Sequence, residues 1–182
     1  EIKEAFNKAE NKIEFLNSLK EFLYRELDGI KQPIDLVRWI PVEQVEPNDY
    51  NPNSVAGIEM GLLYKSIKHD GYTQPVVTIY DPSKKKYIIV DGFHRYFVCK
   101  TKKDIQETTK GCLPCVVIEK DINDRMAATI RHNRARGEHS VQGMSNLVFK
   151  MLENGWTDEE ICNELGMEPE EILKLKHITG FS

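Results

Sequence analysis

Apolar residues recur at helical spacing from the start of the chain. Ile2, Phe6, Ala9, Ile13, Leu16, Leu23 and Leu27 follow one another at steps of three, four or seven, with no Gly or Pro between them. That spacing predicts an amphipathic helix over 2–27, and Gly29 supplies a stop. Its a/d-like seam runs for about three heptads. Two readings stay open: a helix packed on its own domain, or one that pairs with a second chain.

The pattern then shortens. Leu36-Val37, Trp39-Ile40, Val42 and Val45 fit a strand and its exit. Asn48-Asp49-Tyr50-Asn51-Pro52-Asn53 is dense in turn formers. Ile58, Leu62, Leu63 and Ile67 mark one face of a helix that Gly71 ends. Two β-rich runs follow, Pro75 to Tyr80 and Tyr87 to Val90, with Asp81-Pro-Ser-Lys-Lys-Lys as a hairpin loop between them. The three lysines read as a solvated tip. A helix starts near Arg95, a strand runs from Cys115 to Glu119, and a helix from Ile122 to Arg131. Strands alternating with helices predict a small α/β core.

From Gly143 onward every segment has helical periodicity. Thr157-Asp158-Glu159-Glu160 reads as a capping box, Gly166 as a turn, and Pro169 as a first-turn proline. Helix, short turn with Gly, helix is the helix-turn-helix arrangement. Three regions are expected: an N-terminal amphipathic helix over 1–30, a domain over 31–140, and a helix-turn-helix-like segment over 141–182.

Composition narrows the function classes. With 40% hydrophobic and 30% charged residues, the chain is ordinary for a globular protein. No apolar run approaches the length of a membrane span, and the charged stretch from Glu1 to Asp28 is unlike an export signal. A cytoplasmic location with reduced thiols is therefore expected for its four cysteines. Cys112-Leu-Pro-Cys115 has CxxC form, yet it lies in an apolar, strand-like stretch. No further Cys or His shows the matching spacing of a zinc site. The net charge of −4 argues against a general nucleic-acid coat.

The chemistry concentrates in two places. Val90-Asp91-Gly92-Phe93-His94-Arg95-Tyr96 is a strand that passes through a glycine into a helix start. There the backbone can approach a ligand closely, and first-turn N–H groups face any anion in front. His94 and Arg95 add side-chain donors, and the Arg fork suits phosphate oxygens. Asp91 beside them is placed to hold a metal ion or accept a proton. The bland alternative is an Asp-Gly turn followed by a surface Arg. The second place is Arg131-His132-Asn133-Arg134-Ala135-Arg136-Gly137-Glu138-His139, three Arg and two His in an otherwise acidic chain. Such a cluster repels itself unless an anion or carboxylates neutralise it. Asn133, Arg136 and His139 recur at threes, which favours a bound polyphosphate over a helix C-terminus alone.

The order of these motifs resembles the ParB/sulfiredoxin superfamily. The strings are Pro47 to Asn53, then Leu63 through Asp70-Gly71-Tyr-Thr-Gln74-Pro75-Val76, then Asp91 to Tyr96. The chain is most similar to the IbrB-like branch, described as co-activators of prophage gene expression. That branch shares Asp-Tyr-Asn-Pro-Asn, Val-Asp-Gly-Phe-His-Arg-Tyr and Arg-His-Asn-Arg-Ala-Arg-Gly, and the resemblance covers roughly residues 38–180.

The resemblance implies a small α+β domain with a mixed sheet that binds ATP, ADP or CTP, with or without magnesium. Gly92, Phe93, His94 and Arg95 map to the phosphate loop. Asn133, Arg134, Arg136 and His139 map to the second phosphate segment, where His132 replaces a Glu that would bear on magnesium. Gln74 is expected to bind nucleotide as well, and Asn51 and Asn53 fall in the turn near the site. No metal ligands are assigned. Sulfiredoxins carry a nucleophilic Cys where this chain has Phe93, and a phenyl ring is no nucleophile, so sulfiredoxin activity is rejected. Free serine kinases of the superfamily have a catalytic Asp matching Asp91. Their second acid has no secure counterpart, although Asp49 and Glu59 lie near. A kinase or NTPase that uses Asp91 as base is therefore the enzyme alternative.

ParB-like relatives also carry a DNA-reading helix-turn-helix. Here the second helix opens with Glu168, Glu170 and Glu171, which phosphates would repel; Lys174, Lys176 and His177 come only later. Sequence-specific DNA binding is disfavoured against a protein partner or packing on the core. The IbrB-like resemblance implies a nucleotide-binding regulator of transcription that acts with a PAPS-reductase-family partner. A ParB-like DNA adaptor is the third reading.

Overall fold

The computed structural model describes residues 1–48, 57–119, 131 and 141–180. The chain divides into two compact units. One comprises Glu1–Glu46 and Gly57–Ile118, the other Pro47–Ala56 and Glu119–Ser182.

The first unit is a five-stranded mixed sheet with helices. Its strands are β1 (Arg38–Pro41), β2 (Val45–Glu46), β3 (Val76–Asp81), β4 (Lys86–Asp91) and β5 (Cys112–Val117), in spatial order β1-β5-β3-β4-β2. β1 runs antiparallel to β5 and β3 antiparallel to β4, whereas β3–β5 and β2–β4 are parallel. Parallel pairing of β3 and β5 needs a crossover, supplied here through β4 and two helices, α4 (Phe93–Thr101) and α5 (Lys103–Thr109). One sheet face carries Ile40, Val76, Ile89, Leu113 and Cys115, and α4 lays Tyr96 and Cys99 on the same cluster. α3 (Gly57–Asp70) places Ile67 against Val98 and Ile105. The hairpin between β3 and β4 forms as the sequence predicts. Asp81 closes it by accepting from the backbone N–H groups of Ser83 and Lys84 and from the Ser83 hydroxyl. Lys86 is no free tip residue, because its ammonium donates to the Glu43 carbonyl.

Four details differ from the periodicity. The N-terminal helical segment is divided into α1 (Ile2–Lys8) and α2 (Lys12–Glu26). Ala9 is extended, and the Asn11 side chain caps α2 by accepting from Ile13 and Glu14 N–H. Asn competes well for a cap position, and a repeat of apolar residues says nothing about caps. α4 begins at Phe93 rather than near Arg95, and α5 has too little apolar periodicity to be read at all. β5 starts at Cys112, three residues before the expected Cys115. Its Pro114 is tolerated because pairing with β3 begins only at Cys115, so the missing donor faces no β3 partner.

The described part of the second unit is helical: α6 (Val141–Glu153), α7 (Asp158–Leu165) and α8 (Pro169–Thr179). Leu147, Val148, Met151, Ile161, Leu165, Met167, Ile172 and Leu175 form its core. Thr157 makes the expected capping box with Glu160, and Gly166 is left-handed at the α7 terminus. The acidic opening of α8 has a structural use, because Glu168 and Glu171 form a reciprocal cap at its start. Of the helix expected over 122–131 only Arg131 is described, and it is helical. The turn residues Asn51 and Asn53, like Asn133, Arg134, Arg136 and His139, lie outside the described residues.

Candidate functional site

The site is built where β4 becomes α4. Thr78 faces Ile89 and Val77 faces Asp91, so Val90 is the extra residue of a β-bulge at the end of β4. Such a bulge bends the strand and re-aims the residue after it. That residue is Asp91, which is buried. Gly92 follows with φ 96° and ψ 26°, in the left-handed region. A Cβ at Gly92 would lie 3.0 Å from Arg95 Nη2, 3.1 Å from Arg95 Nε and 3.3 Å from the Val76 Cα. Conformation and space therefore both select glycine here. Gly92 is the N-cap of α4, and no side chain caps the helix. Its carbonyl takes the first helical hydrogen bond, from Tyr96 N–H at 3.1 Å. The amides of the preceding turn have no partner within the helix.

The side chains of the loop divide the work. Arg95 folds back over Gly92; its Nη1 donates to Gln74 Oε1 at 2.7 Å, and its Nη2 lies 3.6 Å from Asp91 Oδ2. Its side chain retains 12% exposure and that of Asp91 6%. Asp91 and Gln74 together hold this guanidinium in one position. His94 differs: its Nε2 is buried and has no hydrogen-bond partner. A buried donor or acceptor left unmade costs about 1–3 kcal/mol. Phe93 packs its ring against Tyr96 and Phe97, each about 6.1 Å away between centroids. It serves the core rather than the loop's polar edge.

Tyr72, unassigned from the sequence, supports the loop from below. Its hydroxyl donates to the Arg95 carbonyl at 2.8 Å and pins the first turn of α4. Burial pushes its ionisation far above the ordinary tyrosine range, so it is a neutral donor throughout working pH. The signal was its place in Gly71-Tyr72-Thr73-Gln74, directly before β3. Among the described residues no group of three His, Cys, Asp or Glu side chains gathers to hold a metal ion.

The CxxC pair offers no such group either. Cys112 and Cys115 stand three apart on an extended strand, which sends their side chains to opposite faces. Both thiols are buried, and burial raises the pKa of each. In the second unit, Arg131 of the basic cluster is neutralised by an ion pair with Glu164.

The comparisons with known proteins agree with this architecture. The profile of the ParB N-terminal domain matches residues 30–134, more than half of the chain. The chain belongs to the ParB N-terminal domain family. The profile of the IbrB-like C-terminal HTH domain matches residues 139–182. A relative in Escherichia coli (strain K12), "Uncharacterized protein YbdM", is 43% identical over 171 residues, 94% of this chain and 81% of the relative. Two crystal structures of C-terminally truncated chromosome-partitioning protein ParB from Caulobacter crescentus are also similar. The one complexed with CTP-gamma-S is 20% identical with a TM-score of 0.44, covering 79% of this chain and 78% of that one. The one complexed to the centromeric parS site is 20% identical with a TM-score of 0.49, covering 78% and 71%. Among the described residues no helix is long and apolar enough to cross a membrane.

Proposed function

We propose that this ParB-family chain is a nucleotide-binding regulator whose β4–α4 loop holds the phosphates. The observation that carries the reading is the pairing of two unmet needs at one bend. The first-turn amides of α4 open at a left-handed Gly92, and the buried His94 Nε2 beside them lacks a partner. A chain of phosphate oxygens meets both, with the helix dipole adding attraction. Arg95 contributes its positive field from a fixed place, and Gln74 steadies it. The family resemblance assigns Asn133, Arg134, Arg136 and His139 to the phosphates as well, and Asn51 and Asn53 to a turn of the same site. ATP, ADP and CTP are the candidate ligands, with or without Mg2+.

A regulatory role is favoured over turnover because Asp91 is already engaged. Its carboxylate is buried and faces the Arg95 guanidinium, which suits a strut better than a base that must reach a substrate hydroxyl. The IbrB-like resemblance adds a cytoplasmic role in transcription with a PAPS-reductase-family partner, which co-purification from cells carrying both genes would test. Thermal unfolding with each nucleotide tests the binding itself. A ligand at 100 times its Kd should stabilise the native state by about 2.7 kcal/mol, and at the same concentration the gain should fall to about 1.4 kcal/mol or less in His94→Ala. No shift with any of the three nucleotides, with or without Mg2+, would refute the reading.

A further inference from the structure

The N-terminal helices leave a strip of apolar side chains in water. α2 is bound to β1 along one side only: Asn17 exchanges two hydrogen bonds with the Trp39 backbone, Lys20 donates to the Val37 carbonyl, and Glu21 pairs with Arg38. At 100° per residue these positions fix the inner side of the helix. The opposite side carries Phe15, Leu16, Leu19, Phe22 and Leu23, with Lys12 at one end and Glu26 at the other. No residue of α2 is fully buried: Phe15 and Leu19 are half-buried, and Leu16, Phe22 and Leu23 are 39%, 57% and 46% exposed. Contiguous exposure of this kind marks an interaction face rather than ordinary surface.

The strip is self-complementary. Reversed about Leu19, position 12 meets 26, 15 meets 23 and 16 meets 22. Lys12 then faces Glu26, and each Phe faces a Leu. Run in the same direction, the strip would set Lys12 against Lys12 and Glu26 against Glu26. We infer that the outer face of α2 docks antiparallel on α2 of a second copy of this chain, with Leu19 on the twofold axis. Such an isologous contact closes on itself and yields a dimer, not a fibre. The break at Asn11 bears on it, since Phe6 of α1 packs edge-on against Phe15 at 5.9 Å and covers part of the strip at that end.

Sedimentation velocity of the whole chain tests the proposal. The parent should sediment as a dimer at micromolar concentration. Leu16→Glu/Leu23→Glu should be monomeric, with unchanged nucleotide response and unfolding to show that it is folded. Glu26→Lys places like charges at both ends of the antiparallel pair and should raise the dimer Kd by roughly fivefold at low salt. Lys12→Glu/Glu26→Lys should restore it. A monomeric parent at about 100 µM, or a dimer indifferent to Leu16→Glu/Leu23→Glu, overturns the proposal. A dimer that ignores Glu26→Lys overturns the antiparallel register.

Discussion

At the scale of single residues, Gly92 is where sequence and structure meet most directly. An Asp-Gly pair between a strand and a helix was legible as a bend, and the left-handed φ of 96° gives the reason for the glycine. Gly92→Ala should destabilise the chain by about 1–3 kcal/mol, measured by urea unfolding. An unchanged midpoint would show that the bend is not strained. The roles within the loop were less legible. From the sequence, Arg95 and Asp91 were separate candidates for phosphate and proton, but the bulge at Val90 and the turn at Gly92 bring them together with Gln74. No periodicity predicts an i,i+4 contact that spans a strand end and a helix start. Tyr72 escaped notice for the same reason, since its partner is the carbonyl of Arg95, 23 residues away. Tyr72→Phe removes the side-chain donor to that carbonyl. It should weaken nucleotide binding severalfold through the loop's position, with about 1 kcal/mol lost in stability. Equal affinity in the variant would remove Tyr72 from the site's support.

At the scale of elements, local chemistry was read well where caps and turns announce themselves. Thr157, Gly166 and Pro169 sit where their types demand. Thr157→Ala should cost about 1 kcal/mol in chemical denaturation. The bond is also pH-sensitive: donation from the Thr157 backbone and hydroxyl holds the Glu160 carboxyl below the ordinary value of 4.5. Its contribution is therefore present above the ordinary carboxylate range and is lost as pH falls through the lowered value. Circular dichroism of the parent against Thr157→Ala along an acid titration should show the two converging only at low pH. The N-terminal segment was harder, because a cap by Asn11 interrupts an apolar repeat that reads as continuous. The CxxC motif is the opposite case, a strong string emptied of its chemistry by an extended strand. Mild oxidation should leave Cys112 and Cys115 unlinked, and mass spectrometry of a peptide digest checks it. A disulfide between them would contradict the strand assignment.

At the scale of the whole molecule, the chain divides into two compact units, and the ParB-family and IbrB-like profiles match residues 30–134 and 139–182. Helix-turn-helix geometry alone does not make a DNA reader. Glu168 and Glu171 are committed to capping α8, and Lys176 is held by Asp158 at 2.6 Å, which leaves Lys174 as the exposed lysine of that helix. The helical segment should therefore show no salt-dependent shift of duplex DNA beyond weak, sequence-blind binding. A specific complex that tolerates 200 mM salt would reverse that expectation. Order and class of elements were legible from periodicity and turn residues. What was not legible is the mixed strand order, which depends on long-range pairing.

The central claim is that phosphates sit on the Gly92 bend against His94. Isothermal calorimetry with CTP, ATP and ADP, with and without Mg2+, on the parent and on His94→Ala tests it most directly. Binding by the parent should weaken by about tenfold or more in the variant, the loss expected for one charge-assisted hydrogen bond. Equal affinity in both proteins would place the nucleotide elsewhere and contradict the account.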